Sequence, residues 1–524
     1  MTNTRTIEFE LPVSPDPGDF SRRIAKELRK GFSSYRIEKK SLDARKKPKL
    51  YWVYRVTLIG APSATSTPAA AALMSAMKPQ KRSTRVTIVG FGPAGYFAAL
   101  ALSRAGFAVT VIERGKAVED RRDRIVDFER SGKLTPDCDY SHGEGGAGTF
   151  SDGKLTSRTK GISEYRDFII NSYIQFGAPE EISYLAYPHV GSDNLYRIAI
   201  ESRNALLAAG ADIRFETTVT GIVSANGTVS ALQTNRGDVQ TDLVVVAPGN
   251  SSFDTLRTLL RAGVQFRLKN FALGMRAEHR QETINLSQWG SATIPGLKAA
   301  EYRLTAPSLN GHPVYTFCMC PGGKVVPAAW RPGVNIVNGA SDYARNGEFA
   351  NAAIAIGVHP RELFPGVDTA EDVLTRLEEL EANVYDRMGG YSIPSLPIAE
   401  FVKLQGLQPT SRTIRHPRSS FPFPLVDDDF SSFYPQWMLE ELAAGLVRFS
   451  TQLKSYDTGL LLGLETKTSS PIQVVRSENA LCSGFSNLYV VGEGSGYSGG
   501  IVSSAVDGLH SAIRIIGGVP ELDR

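Results

Sequence analysis

Residues 85–115, RVTIVGFGPAGYFAALALSRAGFAVTVIERG, constrain the fold more than any other stretch of the chain. An apolar run at 86–89 meets Gly90-Phe91-Gly92-Pro93-Ala94-Gly95, and an Ala- and Leu-rich segment follows. After a break at Gly106, a second apolar run at 109–112 ends in Glu113. That order predicts strand, glycine turn, helix and parallel strand, the opening of a dinucleotide-binding unit. Gly90 permits the tight turn, Gly92 lets a pyrophosphate approach the backbone, and Gly95 lets helix and strand pack closely. The helix start, with Pro93 and Ala94 in its first turn, offers unpaired N–H groups and partial positive charge to the phosphates. Glu113, with Arg114 beside it, is placed to accept from a ribose hydroxyl. GxGxxG alone is a weak signal; the flanking runs and the spaced acid give it weight.

Two later stretches point to the same ligand. His142 is followed by GEGGAGTFSDGK, five glycines in the next eleven residues. Each glycine costs conformational entropy on folding, so such a run implies backbone brought close to something flat or anionic. Near the other end, an apolar run enters Gly492-Glu493 and a glycine-rich turn, then a helix with Ile501, Ala505, Leu509 and Ile513 on one face. A buried strand at 243–246 ends likewise in Ala247-Pro248-Gly249-Asn250. Strand ends from opposite parts of the chain therefore converge on one extended ligand in a discontinuous domain.

Between them, residues 264–357 read as β-like runs at 271–277, 302–304, 314–320, 334–339 and 352–358, a mixed or antiparallel insert of the kind that carries substrate contacts. Helices are expected at 118–131, 194–210, 369–388 and 435–449, a strand at 212–219 and a hairpin arm at 229–233. Residues 4–12, 19–30, 35–42 and 50–58 read as a small β-α-β-β unit. Its charged turn, with Arg45, Lys46, Lys47 and Lys49, is read as a solvated hairpin tip, or alternatively as a docking patch. The expected architecture is α/β: an N-terminal domain at 1–60, a linker at 61–83, a dinucleotide domain at 84–263 and 456–524, and a substrate domain at 264–455.

Composition adds limits. At 524 residues, 42% hydrophobic and 21% charged, the chain reads as ordinary globular protein. Its net +4 is uneven, with +7 in residues 1–60 and −3 in the remainder, so the body lacks the basic excess of a nucleic-acid binder. Four cysteines favour a reducing compartment. The start is too polar for a signal peptide and no apolar run reaches a membrane span, so a cytoplasmic location is expected.

Three motifs together, GFGPAG with Glu113, GEGGAGTFSDGKL at 143–155 and VVGEGSGYSGGIVSSAVDGL at 490–509, resemble a group of bacterial FAD-dependent dehydrogenases among the glutathione-reductase-type flavoproteins. Most of that group have no assigned substrate. CMCPGG at 318–323, ETKTSSPIQVVR at 465–476 and the small N-terminal domain are similar to it as well. The resemblance implies FAD as cofactor and a Rossmann-like FAD-binding domain. By it, Gly90, Gly92, Pro93, Ala94, Gly95, Glu113 and Arg114 hold the ADP half. Gly145, Gly146, Gly148 and Thr149 lie along the pyrophosphate and flavin, and Val219 contacts the adenine. Ala247 and Gly249 close the site, Glu493 binds the ribityl chain, and Gly500 and Ile501 begin a helix aimed at the flavin, where negative charge develops.

The chemistry expected is hydride transfer between a small organic substrate and flavin N5. His142 and Lys154, at the two ends of the glycine loop, are candidate catalytic groups, as is Cys320. Cys318 and Cys320 could be a redox pair, but on a regular strand their sulfurs share a face without being adjacent, which favours core cysteines. Arg345, Asn351, Arg415 and His416 are candidates for clamping a substrate carboxylate. The acidic run 427–429 reads as a solvated loop, and no metal is expected. No second strand-turn-helix unit suits a resident nicotinamide, so NAD(P)H would dock transiently. The alternatives are a reductase fed that way, or a flavin-dependent binding or RNA-modification factor using the basic N-terminal domain.

Overall fold

The computed structural model describes residues 4–13, 16, 18–60, 77–80, 82–156, 163–307, 310–411 and 418–518. The expected linker, at 61–83, falls largely outside them, as do Arg415 and His416.

Apolar runs covered on both faces form a five-stranded parallel sheet in the order Leu488–Val490, Leu243–Val246, Arg85–Val89, Ala108–Ile112 and Asp212–Arg214. The strand from the far end of the chain is one edge, so this domain is discontinuous. Helix Pro93–Arg104 is buried without a break from Ala94 to Ser103, as its all-round apolar surface requires. It packs against helix Ile501–Gly518 at very short range, since a Cβ on Gly508 would lie 2.0 Å from the Ala94 carbonyl oxygen. The strand expected over 212–219 stops at Arg214, because Glu216 takes a left-handed backbone (φ +52°). A three-stranded antiparallel meander, Val219–Ala225, Thr228–Thr234 and Val239–Gln240, follows it.

The insert is built on an eight-stranded, mostly antiparallel sheet. Its order is Thr305–Ala306, Val314–Pro327, Phe349–Val358, Phe271–Arg280, Leu460–Glu465, Ile393–Pro397 and Leu425–Asp427, with Val337–Ala340 paired to the end of the second strand. The run at 302–304 lies outside any strand and only leads into Thr305–Ala306. Leu460–Glu465 pairs inside this sheet, past the boundary expected at 455/456. Helices Ala370–Arg387 and Gln436–Gln452 cover it where the 3.6-residue pattern places them, and a capping box of Thr369 and Asp372 starts the first. Helices Ser163–Gln175, Phe253–Arg261, Gln281–Trp289 and Ile398–Leu404 were not expected from the sequence.

In the N-terminal unit, Tyr51–Ile59 pairs antiparallel with both Thr4–Pro12 and Ser34–Asp43, and helix Gly18–Leu28 covers Tyr54, Val56 and Leu58 through Ile24. The unit is bonded to the body: the Lys40 N–H donates to the Tyr184 carbonyl (2.7 Å) and the Ala186 N–H to that of Lys40 (2.9 Å). Its basic tip is exposed, as expected, with Lys47 Nζ donating to the Ser287 carbonyl at 2.6 Å and Arg45 pairing with Asp43. Among the described residues, no helix is long and apolar enough to cross a membrane.

Candidate functional site

A cavity of about 1020 Å³ lies between the parallel sheet and the insert. Gly90, Gly92, Pro93, Ala94, Glu113, Arg114, Gly146, Gly148, Val219, Ala247, Gly249, Gly492, Glu493, Gly500 and Ile501 all line it, as do His142 and Lys154. Gly95, Gly145, Thr149 and Cys320 do not. Gly95 acts one layer behind, where a Cβ would stand 1.9 Å from the Gly90 carbonyl oxygen. The Gly145 N–H is spent on the Phe91 carbonyl and the Thr149 hydroxyl on that of Glu144, so both brace the loop instead of facing the cavity.

One wall is mainly backbone. Gly90 has φ +96°, and a Cβ there would meet the Ala247 carbonyl oxygen at 2.3 Å. Gly92 differs: its nearest neighbour to a built Cβ is Gly146 Cα at 3.7 Å, so packing alone does not demand glycine there. A Cβ at Gly249, Gly499 or Gly500 would meet nothing within 4 Å. Glu113 is buried and accepts from the N–H groups of Phe91 (2.8 Å), Gly115 (2.8 Å) and Gly143 (3.0 Å). A carboxylate accepts about four such bonds, so room for one remains. Arg114 is committed to Asp137 and, through two donors, to Asp254. His142 Nδ1 is held by Asp139 at 3.0 Å, while its buried Nε2 has no partner among the described residues; the buried Thr468 hydroxyl, also on the cavity, has none either.

Sequence reasoning missed the groups that hold this wall in place. Arg121, on helix Val118–Ser131, is fully buried and donates to the carbonyls of Asp139 (2.9 Å), Glu144 (2.8 Å) and Gly146 (2.9 Å). Asp507 accepts from the Gly492 N–H at 2.8 Å and pairs with Arg476 at 2.7 Å, fixing the second turn. The single acid in helix Ile501–Gly518 was the available signal for it.

The opposite wall is made of side chains. Lys154 Nζ donates to Asp152 (2.6 Å) and to the Met319 carbonyl, and Arg345 grips Asp152 through two donors (2.9 and 2.6 Å). Burial opposes the charge on Lys154, but Asp152 outweighs it and raises the amine above its ordinary range. Arg345 is thus bound to an aspartate and is not a free clamp. Asn351 lies under Arg276, accepting from its Nε at 2.6 Å. Fully buried Arg276 also pairs with Glu465 and donates to the Cys318 carbonyl at 2.8 Å. Burial raises Glu465 to about 7 against the pull of Arg276, and raises Glu493 to about 7 as well.

Cys318, not Cys320, reaches the cavity. Strand Val314–Pro327 bulges here: Phe317 pairs with Ala353 but Cys320 with Asn351, so that two residues, Cys318 and Met319, are set against one, Ala352. Cys318 takes the left-handed region (φ +45°), which costs a non-glycine residue about 1–2 kcal/mol. The bulge departs from the regular strand expected here and sets the Cys320 thiol 3.3 Å from the Cys318 carbonyl oxygen. The two thiols act on each other: with Lys154 and Arg276 nearby, that of Cys318 is lowered and that of Cys320 raised. Tyr187, Leu304 and Phe317 add apolar surface to the cavity lining, Tyr187 and Phe317 being exposed.

The residues suit the expected dinucleotide. Gly92 opens the start of a buried helix, the glycines at 249, 499 and 500 leave space that no protein atom fills, and Glu113, His142 and Thr468 aim unused polar capacity inward. Glu113, Arg114 and His142 stand together at one end, Lys154 and Cys318 at the insert end.

Comparison with known proteins gives concordant results. The FAD binding domain family matches residues 83–126, and the family described as FAD-dependent protein, C-terminal domain-like, matches 270–468. An uncharacterized protein of Clostridium beijerinckii is 36% identical over 438 residues, covering 82% of this chain and 80% of the relative. Among solved structures, glycine oxidase from Bacillus cereus (14% identity, 84% of this chain and 96% of that one, TM-score 0.32) is distantly similar. L-proline dehydrogenase from P. horikoshii (12% identity, 85% and 96%, TM-score 0.32) is similarly distant.

Proposed function

This chain belongs to a family of FAD-dependent oxidoreductases, and on that premise we propose that it is a dehydrogenase acting on a small organic molecule. Bound FAD supplies a two-electron acceptor for the substrate's hydride. The observation that carries the reading is the cavity of about 1020 Å³, whose backbone wall suits a dinucleotide and whose opposite wall of insert side chains would face a substrate.

The chain's own groups divide the work. The glycine turn and the start of helix Pro93–Arg104 bind pyrophosphate with N–H groups and partial positive charge. Glu113 offers its remaining acceptor site to a ribose hydroxyl. His142 shares that end, through the Gly143 N–H that Glu113 accepts, so we assign it to holding the cofactor and not to the reacting carbon. Lys154, kept charged by Asp152, would stabilise negative charge at the insert end. Tyr187, Leu304 and Phe317 would take the apolar part of the substrate and exclude water.

The test is spectroscopic. Purified protein should be yellow, or become so with FAD, and an anaerobic panel of amines, amino acids and hydroxy acids should bleach it at a substrate-dependent rate. Protein that is folded yet colourless after incubation with FAD would overturn the reading. Rapid bleaching by NADH or NADPH would instead favour a reductase reached by transient docking.

A further inference from the structure

Dehydrogenation makes no use of the paired thiols on the insert wall. We propose that Cys318 and Cys320 form a dithiol–disulfide couple that exchanges two electrons with a small disulfide entering the cavity. Four observations converge on it. The bulge turns Cys318 onto the cavity while keeping Cys320 fully buried behind it, so one sulfur is presented and the other held in reserve. The Cys320 thiol stands 3.3 Å from the carbonyl oxygen of Cys318, two residues before it on the bulge. Two cations serve the segment: Arg276 Nη2 lies 3.5 Å from Cys320 Sγ, and Lys154 donates to the Met319 carbonyl between them. The remaining cysteines, Cys138 and Cys482, are buried, with thiols that burial pushes up to about 11 and about 12, so they are poor competitors.

The exchange balances as follows. The Cys318 thiolate attacks one sulfur of R–S–S–R; that S–S bond breaks, one RS⁻ leaves and takes up a proton, and a mixed disulfide remains on Cys318. Cys320 then gives up its proton, with Arg276 steadying the sulfur, and displaces the second RS⁻ from Cys318. The chain ends two electrons and two hydrogens poorer, as the Cys318–Cys320 disulfide, and the small molecule leaves as two R–SH. A small dithiol drives the reverse.

The test uses the full chain, reduced and freed of reductant, then mixed with dithionitrobenzoate or with oxidised glutathione, with and without added FAD. Intact mass and the peptide carrying residues 318–320 are the readouts. The expected result is loss of two hydrogens from that peptide, no retained adduct, and release of two equivalents of thiol. Cys320→Ser should keep one adduct on Cys318, and Cys318→Ser should react at least about tenfold more slowly, since the exposed thiolate is gone. An adduct that persists on Cys318 in the wild-type chain, or a pair that stays reduced, would overturn the proposal, and the wild-type result decides alone if a variant does not fold. Colourless protein that still forms the disulfide would refute the dehydrogenase reading and leave this one standing.

Discussion

Arg121 and Arg276 are both fully buried beside the cavity, one behind each wall, yet they are anchored in opposite ways. Arg121 bonds main-chain carbonyls of a loop 18 to 25 residues away. Arg276 bonds the side chains of Asn351 and Glu465, 75 and 189 residues away, and the carbonyl of Cys318. The contrast teaches how each wall is held. The cofactor wall is backbone shaped by glycine and needs a multiple donor to tie its carbonyls, whereas the insert wall is a charge pair between neighbouring strands, Phe271–Arg280 and Leu460–Glu465. A carbonyl cannot be removed by substitution, but an acid can.

That difference is open to attack. Arg121→Met should be the most damaging change: it leaves the Asp139 carbonyl without a donor at about 1–3 kcal/mol, takes one of two donors from the carbonyls of Glu144 and Gly146, and removes the buried cation beside Asp139, Glu113 and Glu144, and no second substitution should rescue it. Denaturant unfolding would measure this. Arg276→Met should cost about 3–5 kcal/mol by stranding Glu465, and Arg276→Met with Glu465→Met should recover more than about half, because a buried pair can be exchanged for apolar packing. If the double variant is no better than the single one, the second wall is not held by the pair.

The pH dependence tests the cofactor wall further. Glu493 has its carboxyl raised by burial from 4.5 to about 7, so the folded chain keeps a proton that the unfolded chain has lost. Its stabilising contribution is full below pH 4.5 and fades as pH rises to about 7. Glu493→Gln should flatten that decline by about 3 kcal/mol in FAD-free protein, measured as unfolding free energy against pH. The smallest effect on stability, within about 1 kcal/mol, is expected for Gly92→Ala, whose backbone is extended (φ −82°) and whose Cβ has space. Its FAD affinity should nonetheless fall at least about tenfold by titration, since the new methyl stands where the pyrophosphate approaches. Unchanged affinity would mean that the glycine turn is not the phosphate site.

The sequence by itself determined the parallel unit from Arg85–Val89 to Ala108–Ile112, the second glycine turn at Gly492, the N-terminal β-α-β-β unit and most of the backbone wall. Glycine, periodicity and apolar runs act locally, so their consequences can be read within a window of some twenty residues. Only the tertiary structure decided that Gly145 and Thr149 brace the loop, that Leu460–Glu465 completes the insert's sheet, and that Arg345 is bound to Asp152. It also decided that a bulge presents Cys318 in place of Cys320. Each of these depends on a partner brought near by chain folding, and a charge or thiol carries no local mark of which distant group it will meet.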